Sequence, residues 1–154
     1  MIAAARLLVA GLAALLLLGA CSTAVEGSAA PARIEFRTVL ATGDVGQGGL
    51  RLRGEDGVSY LLGPAEIDGT QVASAEVENE SGSWVVQVAF TPAGATAFAD
   101  LSGRNVGKQL AIVVDGALVS APTVQFAITD GVVQISGNFD QATATRLADR
   151  ISGS

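Results

Sequence analysis

Residues 84–120 read WVVQVAFTPAGATAFADLSGRNVGKQLAIVVDGALVS, and three signals in this stretch decide the fold. Trp84 to Phe90 is an apolar run of strand length, rich in β-branched valine. Thr91-Pro92 then opens a helix. The threonine hydroxyl caps free N–H groups, and proline at the first helical position forfeits no donor that the helix needs. Ala95, Phe98, Ala99 and Ser102 recur at helical spacing as the expected buried stripe, with Gly103 as the expected stop. Gln109 to Val114 and Ala117 to Ser120 are strands around Asp115-Gly116, a pair that tolerates the positive φ angles of a two-residue hairpin turn.

Upstream, Val72 to Glu80 alternates Ala75 and Val77 with Glu76, Glu78 and Glu80, as a strand with one wet face would. Ser81-Gly82-Ser83 turns it back into the Trp84 strand, giving a second hairpin. Residues 58–62 (VSYLL) are a further strand, expected to stop at Gly63-Pro64, and 65–70 (AEIDGT) read as a turn-rich connector. Residues 41–57 hold six glycines without periodicity and are expected to be a long flexible loop. Ile34 to Leu40 alternates as a first strand. Downstream, Ala121-Pro122 ends the second hairpin, and Val132 to Ser136 is a strand after the Asp130-Gly131 turn. Asp140 caps a last helix with Ala144, Leu147, Ala148 and Ile151 on one face. The expected class is α+β: a mostly antiparallel sheet with two helices packed on one face, over residues 34–152.

The first twenty residues differ in kind. Arg6 is followed by an apolar run from Leu7 to Leu18, shorter than the roughly 20 residues a spanning helix needs. This is the length of a signal-peptide core, so residues 1–20 are expected to be removed. Leu18-Gly19-Ala20-Cys21 resembles the lipobox of bacterial lipoproteins, in which the cysteine is lipidated after cleavage before it. The resemblance implies lipid attachment at Cys21 and a place at the cell membrane, on its extracytoplasmic face. More than one acyl chain holds a protein stably at a bilayer. Residues 21–33 are small, polar and proline-bearing, and read as a tether.

Cleavage before Cys21 would leave eight basic and fifteen acidic residues, a net charge of −7. That balance argues against nucleic acid, which asks for a basic surface. The chain has no histidine, Cys21 is its single cysteine, and Lys108 its single lysine. No serine motif stands beside Lys108, so acyl-transfer chemistry has no footing, and no enzyme activity, metal site, cofactor or small-molecule substrate is expected. The loop DVGQGGLR lacks the lysine and hydroxyl of a phosphate loop.

From Phe90 onward the order Gly103-Arg104-Asn105, Gly107-Lys108-Gln109, Val114-Asp115-Gly116, Ser120-Ala121-Pro122 and Ile135-Ser136-Gly137 resembles the head portion of the first periplasmic domain of SecD. The upstream YLLGPAEIDGTQVASAEV, the trailing QATATRLADRI and IEFRTVL are similar to the same family. The resemblance implies the fold above, and a capacity to touch exported polypeptide or subunits of the Sec translocase. SecD carries several membrane helices after this domain. No segment here after the first twenty residues has that length and hydropathy, so the proton-driven part of the family's work is not expected to carry over. An envelope lipoprotein that kept the fold without an export role is the alternative.

Individual residues leave alternatives open. Arg104 and Lys108, between helix and strand, either complement the helix C-terminal carbonyls or contact a partner. Phe126, in the connector Thr123 to Asp130, either packs against the domain or binds something. Trp84 reads as core or core edge, Asp115 as a turn residue, and the three glutamates as a solvated acidic face.

Overall fold

The run Leu110–Val114 (β6) is apolar at every position because both of its faces are covered: all five residues are buried. The computed structural model describes residues 33–44 and 48–153, and β6 lies near the middle of their larger sheet. Its partners are β1 (Ile34–Thr42) on one side and β7 (Ala117–Ser120) on the other, in a sheet completed by β3 (Ser59–Asp68) and β2 (Leu50–Arg53) in the order β2-β3-β1-β6-β7. A separate three-stranded sheet holds β4 (Val72–Glu80), β5 (Ser83–Phe90) and β8 (Val132–Ser136), in that order. Every pairing is antiparallel. Helices α1 (Pro92–Arg104) and α2 (Gln141–Ser152) complete the α+β unit. Among the described residues no helix is long and apolar enough to cross a membrane.

Register explains what each sheet face does. Ile34 and Phe36 stand opposite Val114 and Ile112, and Phe36 also faces Ile67, so these residues share the face turned toward the helices and the small sheet. The other face carries Ala111 and Val113, with Leu118, Tyr60 and Leu62, as a second apolar cluster. The edge strands β2 and β7 touch across that second face, so the larger sheet curls around it. In the small sheet, Ala75 and Val77 stand opposite Val88 and Val86, which stand opposite Val133 and Ile135. That face packs into the main core, and α2 lies along β4 and β5 with Ala144, Leu147, Ala148 and Ile151 buried. The reverse face carries Glu76, Gln87 and Gln134 in a row.

Three phenylalanines lock the layers together. Phe36 of β1, Phe90 of β5 and Phe98 of α1 lie with ring centroids 5.4, 5.2 and 4.6 Å apart, two contacts edge-on and one stacked. Such pairs add about 0.5–1.5 kcal/mol each beyond their buried area. Trp84 is partly buried against this core.

Several local expectations need correction. Residues 41–57 are not one loop: β1 continues to Thr42, and Leu50–Arg53 form β2, with Leu52 opposite Tyr60. Flanking glycines hide this short alternation of leucine and arginine. Gly63-Pro64 does not stop β3, because the strand bulges there and runs on to Asp68. β2 pairs only as far as Leu62, so Pro64 lies on an open edge where its missing N–H costs no ladder bond. Within the supposed connector, Ile67 is buried, and Asp68 caps a 3-10 turn over Gly69–Gln71. Helix α1 passes Gly103 and ends at Arg104, where Asn105 donates its side-chain amide to the Leu101 carbonyl at 2.8 Å. Its buried face is Gly94, Phe98, Leu101 and Ser102, whereas Ala95 and Ala99 are half-buried. The reason is at Gly94: a Cβ there would lie 2.3 Å from the Gln71 carbonyl oxygen, so glycine lets the helix seat one step round.

Candidate functional site

After β7 the chain keeps to the edge of β6 for four more residues. Pro122 accepts from the Leu110 N–H at 3.0 Å, the Val124 N–H donates to Lys108 at 2.9 Å, and Val124 accepts from Gly107 at 2.8 Å. Gln109 reinforces this seam by donating its side-chain amide to the Ala121 carbonyl at 2.9 Å. The seam fixes one end of the bend at residues 125–127.

Its other end is fixed by Ser102. The Ile128 N–H donates to the serine Oγ at 2.9 Å, and the hydroxyl donates to the Ala99 carbonyl at 3.2 Å. Ser102 is fully buried, so this pairing satisfies a polar group that would otherwise be costly. Past Ile128, Asp130-Gly131 turns the chain into β8, and Gly131 accepts from the Phe90 N–H at 2.9 Å. Gly131 takes φ 74°, a left-handed conformation that glycine adopts without penalty.

Between this connector and β8 lies a groove of about 690 Å³, the larger of the two cavities described. Phe36, Phe98, Leu110, Ile112 and Val133 line it, with Gln87, Gln134 and Asp130 as polar members. Phe126 stands at its rim with 72% of its surface exposed, so it does not pack into the core. Val106 is 49% exposed in the α1–β6 turn, beside the Gly107–Val124 bond. The sequence reading missed it, although a valine between asparagine and glycine in a turn is a visible signal.

The other candidate residues divide. Lys108 is exposed, and its backbone N–H donates to Asn105 while its carbonyl accepts from Val124, so it shares the corner with Phe126. Arg104 sits in the last turn of α1, but its guanidinium pairs with Glu66 at 2.5 Å, anchoring the helix end to β3. Cys21, the expected signal segment and all of the tether before Arg33 lie outside the described residues.

Asp115 does more than turn a hairpin. With φ 50°, followed by Gly116 at φ 80°, it forms the expected two-residue turn. Its backbone exchanges two bonds with Arg33 in concert with its side chain: the Asp115 N–H donates to the Arg33 carbonyl at 3.0 Å, and the Arg33 N–H donates to the carboxylate at 2.9 Å. The carboxylate also pairs with Arg150 in the last turn of α2. The Arg33 N–H first, and Arg150 second, hold this carboxyl below its ordinary value. A second such group is Asp56, lowered chiefly by the Tyr60 hydroxyl that donates to it at 2.7 Å. Among the described residues no cluster of histidine, cysteine and carboxylate side chains could hold a metal ion.

A family model described as the SecDF P1 head subdomain matches residues 49–154. The chain belongs to that family. It is 41% identical over 101 residues to the protein translocase subunit SecD of Streptomyces coelicolor, covering 60% of this chain and 18% of that protein. With the SecDF translocase subunit of Thermus thermophilus it shares 39% over 88 residues, 56% of this chain and 12% of the other. Solved structures agree. A chain of SecDF, described as a membrane component that enhances protein export, superposes with a TM-score of 0.66 at 29% identity, over 80% of this chain and 63% of that one. SecDF in a super-membrane-facing form gives 0.66 at 31% identity, over 80% and 19%. This chain thus spans less than a fifth of the length of those two translocase subunits.

Proposed function

We propose that this chain is a non-catalytic module that binds extended polypeptide in connection with protein export, held by lipid at the extracytoplasmic face of the membrane. The observation that carries the binding reading is the apolar groove beside β8, with Phe126 exposed at its rim. β8 is the edge strand of its sheet, so its outer backbone groups are free to pair with an added strand. An extended chain could hydrogen-bond there while placing alternate side chains in the groove.

The anchor reading rests on Leu18-Gly19-Ala20-Cys21 and gains from where the domain begins. Arg33 is fastened to Asp115 at one end of β6, while the groove connector is fastened to residues 107–110 at the other end. A strand rises about 3.3 Å per residue, so the two ends are roughly 20 Å apart. A tether entering at Arg33 would present the connector and Phe126 away from its point of entry.

Two measurements test the two halves. Cys21→Ser should shift the protein from the membrane to the soluble fraction of cells, and unchanged fractionation would refute the anchor. The full chain in detergent should bind an unfolded, export-competent reporter polypeptide, and Phe126→Ser should weaken that binding severalfold. Equal binding by the two forms would remove the groove from the account.

A further inference from the structure

The sheet that ends at β8 has a charge asymmetry that defines which polypeptide it suits. None of the strands VASAEVENE, SWVVQVAF and VVQIS contains lysine or arginine. Glu76, Glu78 and Glu80 all lie on the face turned away from the core, and among the described residues no ion pair involves them. Glu80 accepts only an uncharged donor, the Gln134 amide at 2.8 Å.

Register then fixes what an added strand would meet. A residue paired with Val133 or Ile135 would turn to the core side, and at Val133 it would meet the groove that Phe36, Phe98 and Ile112 back. A residue paired with Gln134 would join the row Glu76–Gln87–Gln134, and one paired with Ser136 the row Glu78–Val85–Ser136. Successive residues of a strand alternate faces, so apolar and acidic-facing positions would alternate along the occupant. We infer that the β8 edge selects an extended segment in which apolar residues alternate with basic ones. Glu80 reaches β8 itself, accepting from Gln134, so a cation on the outer face beside Gln134 meets that carboxylate, while Glu76 and Glu78, two strands further in, attract it at longer range in low salt. This inference rests on the polypeptide-binding reading above and adds the class of segment bound.

The test uses the full chain in detergent and three labelled ten-residue peptides, in which valine alternates with lysine, serine or glutamate. Anisotropy titrations at low salt should rank lysine above serine above glutamate, with lysine over serine severalfold. Glu76→Gln combined with Glu78→Gln and Glu80→Gln should erase that advantage and leave the serine peptide's affinity unchanged. About 0.5 M salt should narrow it, because exposed charges are screened. If lysine and glutamate peptides bind alike, or the triple variant keeps the preference, the inference is overturned while the groove stands as a general polypeptide site. If no peptide binds, the groove reading fails as well.

Discussion

The two ends of β6 are built to opposite ends. At the Asp115 end, one carboxylate ties the first described residue, a hairpin and the last turn of α2 together. At the Lys108 end, a connector is held at two points and leaves a phenylalanine, a valine and an apolar groove open between them. The first end satisfies its polar groups and presents little else. The second satisfies its backbone and leaves apolar surface uncovered, which is what a binding surface requires. On the proposed function, position along one strand thus separates holding the domain together from meeting a partner.

The sharpest break of this contrast lies beneath both ends. Phe98→Ala removes one ring of the trio and part of the groove floor, and should cost about 3–5 kcal/mol in denaturant unfolding. A loss below about 1 kcal/mol would show that the layers do not depend on that trio. At the holding end, Gly116→Val forces a side chain into a left-handed conformation, and should destabilise by more than about 1 kcal/mol with no steric clash involved. An unaltered melting temperature would contradict the turn geometry.

Acid should loosen the holding end in a defined direction. The Asp115 carboxyl is lowered from 3.8, so its contribution is fully present above that value and is lost as pH falls through the lower value of the folded state. Asp115→Asn should therefore reduce the melting temperature at pH 7, and the gap to the parent should close as pH falls below about 3.8. A gap independent of pH would mean that the turn, and not the charge, carries the effect. The smallest expected change is at the open end. Phe126→Ser should move stability by no more than about 0.5 kcal/mol, since the ring is largely exposed, yet it should weaken polypeptide binding.

Much of this architecture is legible in the sequence, for physical reasons that differ by element. Thr91-Pro92, Asp140 and Asp115-Gly116 act through local chemistry, and each sits where the structure uses it. Elements settled by distant partners are harder to read. Leu50–Arg53 is a strand because Ser59–Leu62 pairs with it, and Pro64 is tolerated because β2 ends before reaching it. The division into two sheets is also a tertiary matter, since no residue in β4 or β6 states which sheet it joins. At the site, Phe126 stands out in sequence as the one aromatic of the connector Thr123 to Asp130. The residues that back the groove do not, because Phe36, Phe98 and Ile112 are buried in the main core and read in sequence only as core.

The central claim is that a surface at the Lys108 end of β6, and not the Asp115 end, meets passing polypeptide. A photo-crosslinking residue placed at position 126, and separately at 116, in the full chain in living cells with export slowed tests it directly. Capture of secretory precursors at 126 with none at 116 is the expected result; equal capture at both, or none at 126, would contradict it.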